Sequence, residues 1–129
     1  MSRPLILVIE DNAAVSRVVE EVLRSFGCDP RVENDGRQAL RRLRAEPPAL
    51  VLVDMRLPGM DGLEIVREIR KTRGLEALPV IGVTGYAHAI HAKDAIAAGC
   101  NAFLEKPFDL AELRRTIESF VTLDAESPR

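Results

Sequence analysis

The chain has no tryptophan, one tyrosine and four phenylalanines, so whatever core its 129 residues build is mainly aliphatic. It has only two cysteines, Cys28 and Cys100, which form neither a CxxC pair nor a Cys/His group with zinc-ligand spacing. That excludes a structural zinc site and leaves two small buried thiols as the reading. Long hydrophobic runs are missing too. The longest early one, Leu5 to Ile9, is too short for a membrane span or a signal segment, and acids follow it at once. The expectation is a cytoplasmic protein with no membrane segment. Neither sign of charge dominates: the net charge is −2 and the pI about 5.7, so no global positive field draws the chain to nucleic acid or anionic lipid. Partners are expected to be proteins or small ligands. Internal repeats, low-complexity tracts and linkers are also absent, which predicts one domain over residues 1–123 and a frayed tail over 124–129.

What is present is an alternation. Runs of β-prone residues give way to runs of helical period five times, the pattern of a parallel sheet covered by helices, so the predicted class is α/β. The predicted strands are Leu5–Ile9, a weak Pro30–Glu33, Leu50–Val53, Val80–Val83 and Ala102–Leu104. The first, third and fourth are continuous apolar runs, as expected where both faces are covered. In the first helix Val15, Val18, Val19, Val22, Leu23 and Phe26 fall on one stripe, and Gly27 ends it. Three later helices open with an Asp followed three places on by Gln or Glu: Asp35 with Gln38, Asp61 with Glu64, and Asp109 with Glu112. Each pair resembles a capping box. The fourth helix, about His88 to Ala98, is Ala-rich and closed by Gly99.

In an open parallel sheet, functional groups gather at the carboxyl ends of the strands. Glu10 and Asp11 follow the first strand, Asp54 ends the third, Thr84 ends the fourth, and the fifth leads to Lys106 and Pro107. Each has an ordinary reading: Asp11 or Asn12 can cap the first helix, Asp54 can form a loop before the Pro58-Gly59 turn, and Lys106 and Thr84 can be surface groups. Their joint placement at four strand ends is what points to a site. Three carboxylates about 5 Å apart repel by roughly 3 kcal/mol per pair at an effective dielectric near 20, so the cluster needs a cation. Hard oxygen ligands point to Mg2+, which accepts one or two carboxylates and keeps positions open for phosphate. Asp54 is then the candidate nucleophile, with Lys106 offsetting charge on phosphoryl oxygens.

The segments Leu-Ile-Leu-Val-Ile-Glu-Asp-Asn, Val-Asp-Met-Arg-Leu-Pro-Gly-Met-Asp-Gly, Val-Thr-Gly and Glu-Lys-Pro-Phe resemble, in order and spacing, the receiver domains of two-component systems over about residues 4 to 122. The resemblance implies a flavodoxin-like (βα)5 doubly wound sheet of strand order 2-1-3-4-5. It implies Asp54 as phosphoacceptor, Asp11 as direct metal ligand, Glu10 acting through metal-bound water, and the backbone carbonyl of Arg56 as a further ligand. Thr84 and Lys106 would contact the phosphoryl oxygens, Pro107 would follow a cis peptide bond, and Phe103 stands where the family places its switch aromatic. Arg56 and Tyr86 occupy the two positions that flank the site and screen an acyl phosphate, which predicts slow self-dephosphorylation.

The function expected is a phospho-accepting receiver, charged by a sensor histidine kinase or a histidine phosphotransfer protein and read by a downstream target protein. It is not an enzyme beyond catalysing its own phosphorylation and dephosphorylation. The expected state is a monomer or a phosphorylation-dependent dimer, with output through the fourth helix, fifth strand and fifth helix. Surface residues of the first helix, such as Arg17, Glu20 and Arg24, are expected to select the kinase. The Met1-Ser2 start and short tail favour a stand-alone, chemotaxis-type protein over a receiver cut from a hybrid kinase. A phosphohydrolase of the haloacid dehalogenase type needs an acid two residues after its nucleophile, where this chain has Arg56. A pseudo-receiver would lack site residues that are all present here. His88 with His91, and Arg41, Arg42 and Arg44, read as solvated helix faces.

Overall fold

The computed structural model describes residues 3–57, 60–85 and 92–123. The Pro58-Gly59 turn, Tyr86, His88, His91 and the 124–129 tail therefore lie outside the described residues. The elements run β1 (Leu5–Ile9), α1 (Ala13–Ser25), β2 (Asp29–Glu33), α2 (Gly36–Ala45), β3 (Leu50–Asp54), α3 (Gly62–Lys71), β4 (Val80–Gly85), α4 (Ala92–Ala98), β5 (Ala102–Lys106) and α5 (Leu110–Glu118). All strand pairs are parallel, and the sheet order is β2-β1-β3-β4-β5. This is the flavodoxin-like arrangement, with the order reversing between β1 and β3.

Alternation along each strand sends side chains into two cores. Leu7, Ile9, Val51 and Val53 pack under α2, α3 and α4 with Leu43, Ile65, Ile69 and Ala95. Ile6, Val8, Leu50 and Leu52 pack under α1 and α5 with Leu23, Leu113 and Ile117. Because both faces are covered, β1 and residues 50–53 of β3 are apolar without a break, and truncating a fully buried residue such as Ile65 to Ala would cost about 2–5 kcal/mol. Pro30 is accommodated because β2 is an edge strand, paired only with β1.

Local chemistry starts and stops the helices. Asn12, rather than Asp11, caps α1 by accepting from the Val15 N–H. Asp35, Asp61 and Asp109 accept from N–H groups in the first turns of α2, α3 and α5. Gly27 and Gly99 follow α1 and α4 with φ of 89° and 127°.

Three strands run further than their sequence signals. β3, β4 and β5 extend through Asp54, Gly85 and Lys106 because ladder pairing continues there, with Asp54 opposite Val83, Thr84 opposite Glu105 and Gly85 opposite Lys106. The side chains of Asp54, Thr84 and Lys106 thus sit on strand ends, whereas Glu10 and Asp11 follow the end of β1. Val18 also differs from expectation: it is 61% exposed, because α1 and α5 leave a groove between them. Both thiols are buried and free, and burial pushes each up to about 11. Among the described residues, no helix is long and apolar enough to cross a membrane.

Candidate functional site

The carboxyl edge of the sheet, around the β1/β3 crevice, holds the predicted cluster. Glu10 directly follows β1, with only 6% of its surface exposed, and Asp54 ends β3 at 8%. Asp11 is exposed at the head of the loop into α1. Carboxylate oxygens of Glu10, Asp11 and Asp54 lie within 4.8 Å of one another, three hard donors on rigid supports, a set that fits Mg2+.

Lys106, at the end of β5, reaches back over this cluster. Its ammonium is 3.3 Å from Glu10 Oε1 and 3.7 Å from Asp54 Oδ2. Backbone donors hold the carboxylates in place: the Asn12 N–H donates to Glu10 Oε2 at 3.1 Å, and the Arg56 N–H donates to Asp54 Oδ1 at 2.9 Å. Asp54 thereby keeps Oδ2 turned toward Lys106. Burial raises the Glu10 carboxyl above its ordinary value, against the pull of the Asn12 N–H; the neighbouring Asp54 raises it further, and Lys106 opposes this. A raised carboxyl beside two other acids and one lysine marks a pocket short of positive charge.

The remaining predicted residues divide by face. Thr84 is 1% exposed on the α3/α4 side of β4, its hydroxyl donating weakly to Gly85 O at 3.5 Å. Phe103 is partly buried on the same side and packs against that core. The Lys106–Pro107 peptide bond is cis. Arg56 is exposed, and Tyr86 lies outside the described residues. Arg42 pairs with Glu33 at 2.6 Å, while Arg41 and Arg44 are exposed. Arg24 pairs with Glu20 along α1.

Two features had no legible signal. An apolar groove of about 520 Å³ opens beside Asp54 and Lys106 between α1 and α5, flanked by Val18 and by Leu110, which is 57% exposed. Leu110 opens α5 directly after its cap Asp109, and nothing in the local sequence says that it points into a groove rather than into the core. Arg70, in the last turn of α3, donates to the carbonyls of Leu75, Glu76, Leu78 and Gly99 and to Asn101 Oδ1. From sequence it looks like any solvated arginine near a helix end.

A doubly wound parallel sheet with three acids and a lysine at its switch point is the plan of a signalling receiver. The family model described as "Response regulator receiver domain" matches residues 6–118, and the chain belongs to that family. Its members serve two-component signalling as phosphoacceptors rather than as conventional enzymes. Among curated relatives, the chain is 34% identical over 127 residues to the transcriptional regulatory protein ZraR of Escherichia coli K12, covering 95% of this chain and 28% of ZraR. It is 32% identical over 126 residues to the DNA-binding response regulator MtrA of Mycolicibacterium paratuberculosis, covering 98% of this chain and 55% of MtrA. The chain thus spans between about a quarter and just over half of these relatives.

Solved structures agree. The receiver domain of the sensor histidine kinase PA1611 from Pseudomonas aeruginosa PAO1, solved with a magnesium ion coordinated in its active site cleft, is 35% identical with a TM-score of 0.85, over 92% of this chain and 98% of that one. A response regulator structure from Chloroflexus aurantiacus superposes with a TM-score of 0.88 at 27% identity, over the same shares of the two chains.

Proposed function

We infer that Asp54 accepts a phosphoryl group from a phosphohistidine and that the resulting acyl phosphate switches a protein-binding surface. The observation that carries this reading is the convergence of Glu10, Asp11 and Asp54 within 4.8 Å, with Lys106 Nζ 3.7 Å from the free oxygen of Asp54. In the transfer, Asp54 Oδ2 attacks phosphorus, a P–O bond forms, and the P–N bond to the donor imidazole breaks, its electron pair staying on nitrogen. Glu10 and Asp11, with Asp54 and the Arg56 carbonyl, would hold Mg2+; when bound, the ion supplies positive charge against the phosphoryl oxygens. Lys106 would hold one of those oxygens, and the Thr84 hydroxyl, on the adjacent strand end, would take another. Moving a two-state surface from mostly inactive to mostly active needs about 5 kcal/mol of differential stabilisation from such contacts.

The groove between α1 and α5 supports a protein donor. It is almost wholly apolar, it opens onto Asp54, and its rim carries the exposed Val18 and Leu110, so a helix bearing a phosphohistidine can bury apolar surface while presenting its phosphate. The donor is accordingly a sensor histidine kinase or a histidine phosphotransfer protein, and the readout is a downstream protein. Arg56 and Tyr86 would slow loss of the phosphoryl group, so an Arg56→Ala, Tyr86→Ala double variant should lose it faster after the donor is removed.

Incubation with acetyl phosphate and Mg2+, followed by intact mass measurement, tests the acceptor. A single phosphoryl adduct, absent in Asp54→Asn and without Mg2+, is expected. A wild-type protein that stays unmodified would mark a binding module that keeps the fold without the chemistry.

A further inference from the structure

We propose that Gly82 is the seat of Phe103: the missing side chain on β4 lets the aromatic ring rest inward, and this seat couples the strand that carries Thr84 to the β5 face. The coupling rests on the reading of Asp54 as phosphoacceptor and of Phe103 as the moving aromatic, whereas the seat itself does not.

Gly82 and Phe103 are register partners on adjacent parallel strands, and both face the α3/α4 core. Gly82 has no left-handed backbone that would call for glycine, since the glycines with positive φ are Gly27, Gly74 and Gly99 among the described residues. In a buried central strand a β-branched residue is the usual occupant, and glycine weakens the strand. Its presence is explained by space. A Cβ at position 82 would stand 3.0 Å from Met55 Sδ, 3.2 Å from Cys100 Sγ and 3.2 Å from Phe103 Cδ1. All three contacts are tighter than ordinary packing, so at least one neighbour has to move.

Which neighbour moves follows from burial. Met55 is fully buried, and its sulfur is already pressed toward α3, 2.9 Å from where a Cβ on Gly62 would lie. Cys100 is buried behind the turn that Arg70 ties down through Gly99 O and Asn101 Oδ1. Phe103 alone is partly exposed, so its ring has solvent to swing into. A side chain at position 82 therefore pushes first on the ring, which has to give by at least a few tenths of an ångström, while the buried Met55 and Cys100 have less room to yield. Thr84 lies two residues further along the same face of β4, and Met55, which directly follows Asp54, borders the same space above Gly82 as the ring does.

The seat is tested by a double-mutant cycle in urea with Gly82→Ala and Phe103→Ala. Gly82→Ala should lower the unfolding midpoint in the wild-type background and leave it unchanged or raised in the Phe103→Ala background. An equal loss in both backgrounds would overturn the seat and place the crowding on Met55 and Cys100. The coupling is tested on the same proteins with beryllofluoride and Mg2+ as a phosphoryl mimic. Fluorine NMR reads occupancy at Asp54, and proton NMR reads the Phe103 ring. Gly82→Ala should bind the mimic as the wild type does and lose most of the ring response. A full ring response in Gly82→Ala would refute the coupling. Failure of the wild type to bind the mimic would instead count against Asp54 as acceptor, with the seat still judged by the urea cycle.

Discussion

Replacing Asp54 by Asn should make the metal-free protein more stable. The oxygens of Glu10, Asp11 and Asp54 come within 4.8 Å of one another, so the Asp54 charge suffers two repulsions of at least about 3.5 kcal/mol each at an effective dielectric near 20. Its attraction to Lys106 at 3.7 Å returns about 4.5 kcal/mol on the same scale. The balance is a destabilisation of about 2 kcal/mol, since water around the exposed Asp11 weakens one repulsion while burial of Asp54 adds a desolvation cost. An asparagine keeps an oxygen for the Arg56 N–H, so the backbone contact survives. In urea with a chelator, the variant's midpoint should rise by about 1 M for a slope near 2 kcal/mol/M. With Mg2+ at about a hundred times its Kd, the wild type gains about 2.7 kcal/mol by mass action and the order should reverse. A variant no more stable than the wild type in chelator would refute the reasoning, because the three carboxylates would then not be crowding one another. The pH dependence gives a second check. The folded value of Glu10 is raised above 4.5, mainly by burial and further by Asp54. Its contribution is therefore full below about 4.5 and lost as pH rises through the raised value, so the metal-free wild type should weaken across that window and Asp54→Asn less so.

Further outcomes follow from contacts away from the acids. Arg70→Met should cost about 2–4 kcal/mol by leaving carbonyls of Leu75, Leu78 and Gly99 without their donor, and Arg70→Lys should recover little, because one ammonium cannot replace a planar fork; faster amide exchange confined to the α3/β4 and α4/β5 turns checks it. Asn12→Ala should lose about 1 kcal/mol of stability in thermal or urea unfolding through the lost cap on α1. Cys28 and Cys100, with thiols pushed up from 9.0 to about 11, should resist iodoacetamide in the native state and label rapidly in urea. Their contribution to stability is present below 9.0 and lost as pH rises through about 11, so alkaline solutions should weaken the fold.

Much of this protein was legible one segment at a time. The apolar runs of β1, β3 and β4, the stripe of α1 and the aspartates that cap α2, α3 and α5 depend on periodicity and on hydrogen bonds spanning two or three residues, which a linear sequence displays. The acids at residues 10, 11 and 54 and the lysine at 106 could be assigned to one edge because the carboxyl ends of parallel strands all point the same way. Other features belong to the folded arrangement alone. The exposure of Val18 depends on how far α1 stands from α5, and the extension of β3 to β5 depends on partners supplied by other strands. Arg70 finds acceptors 29 and 31 residues away, and Gly82 meets a phenylalanine brought beside it only by strand register. Local periodicity carries no information about such distances, because they are set by how the two cores close over the sheet.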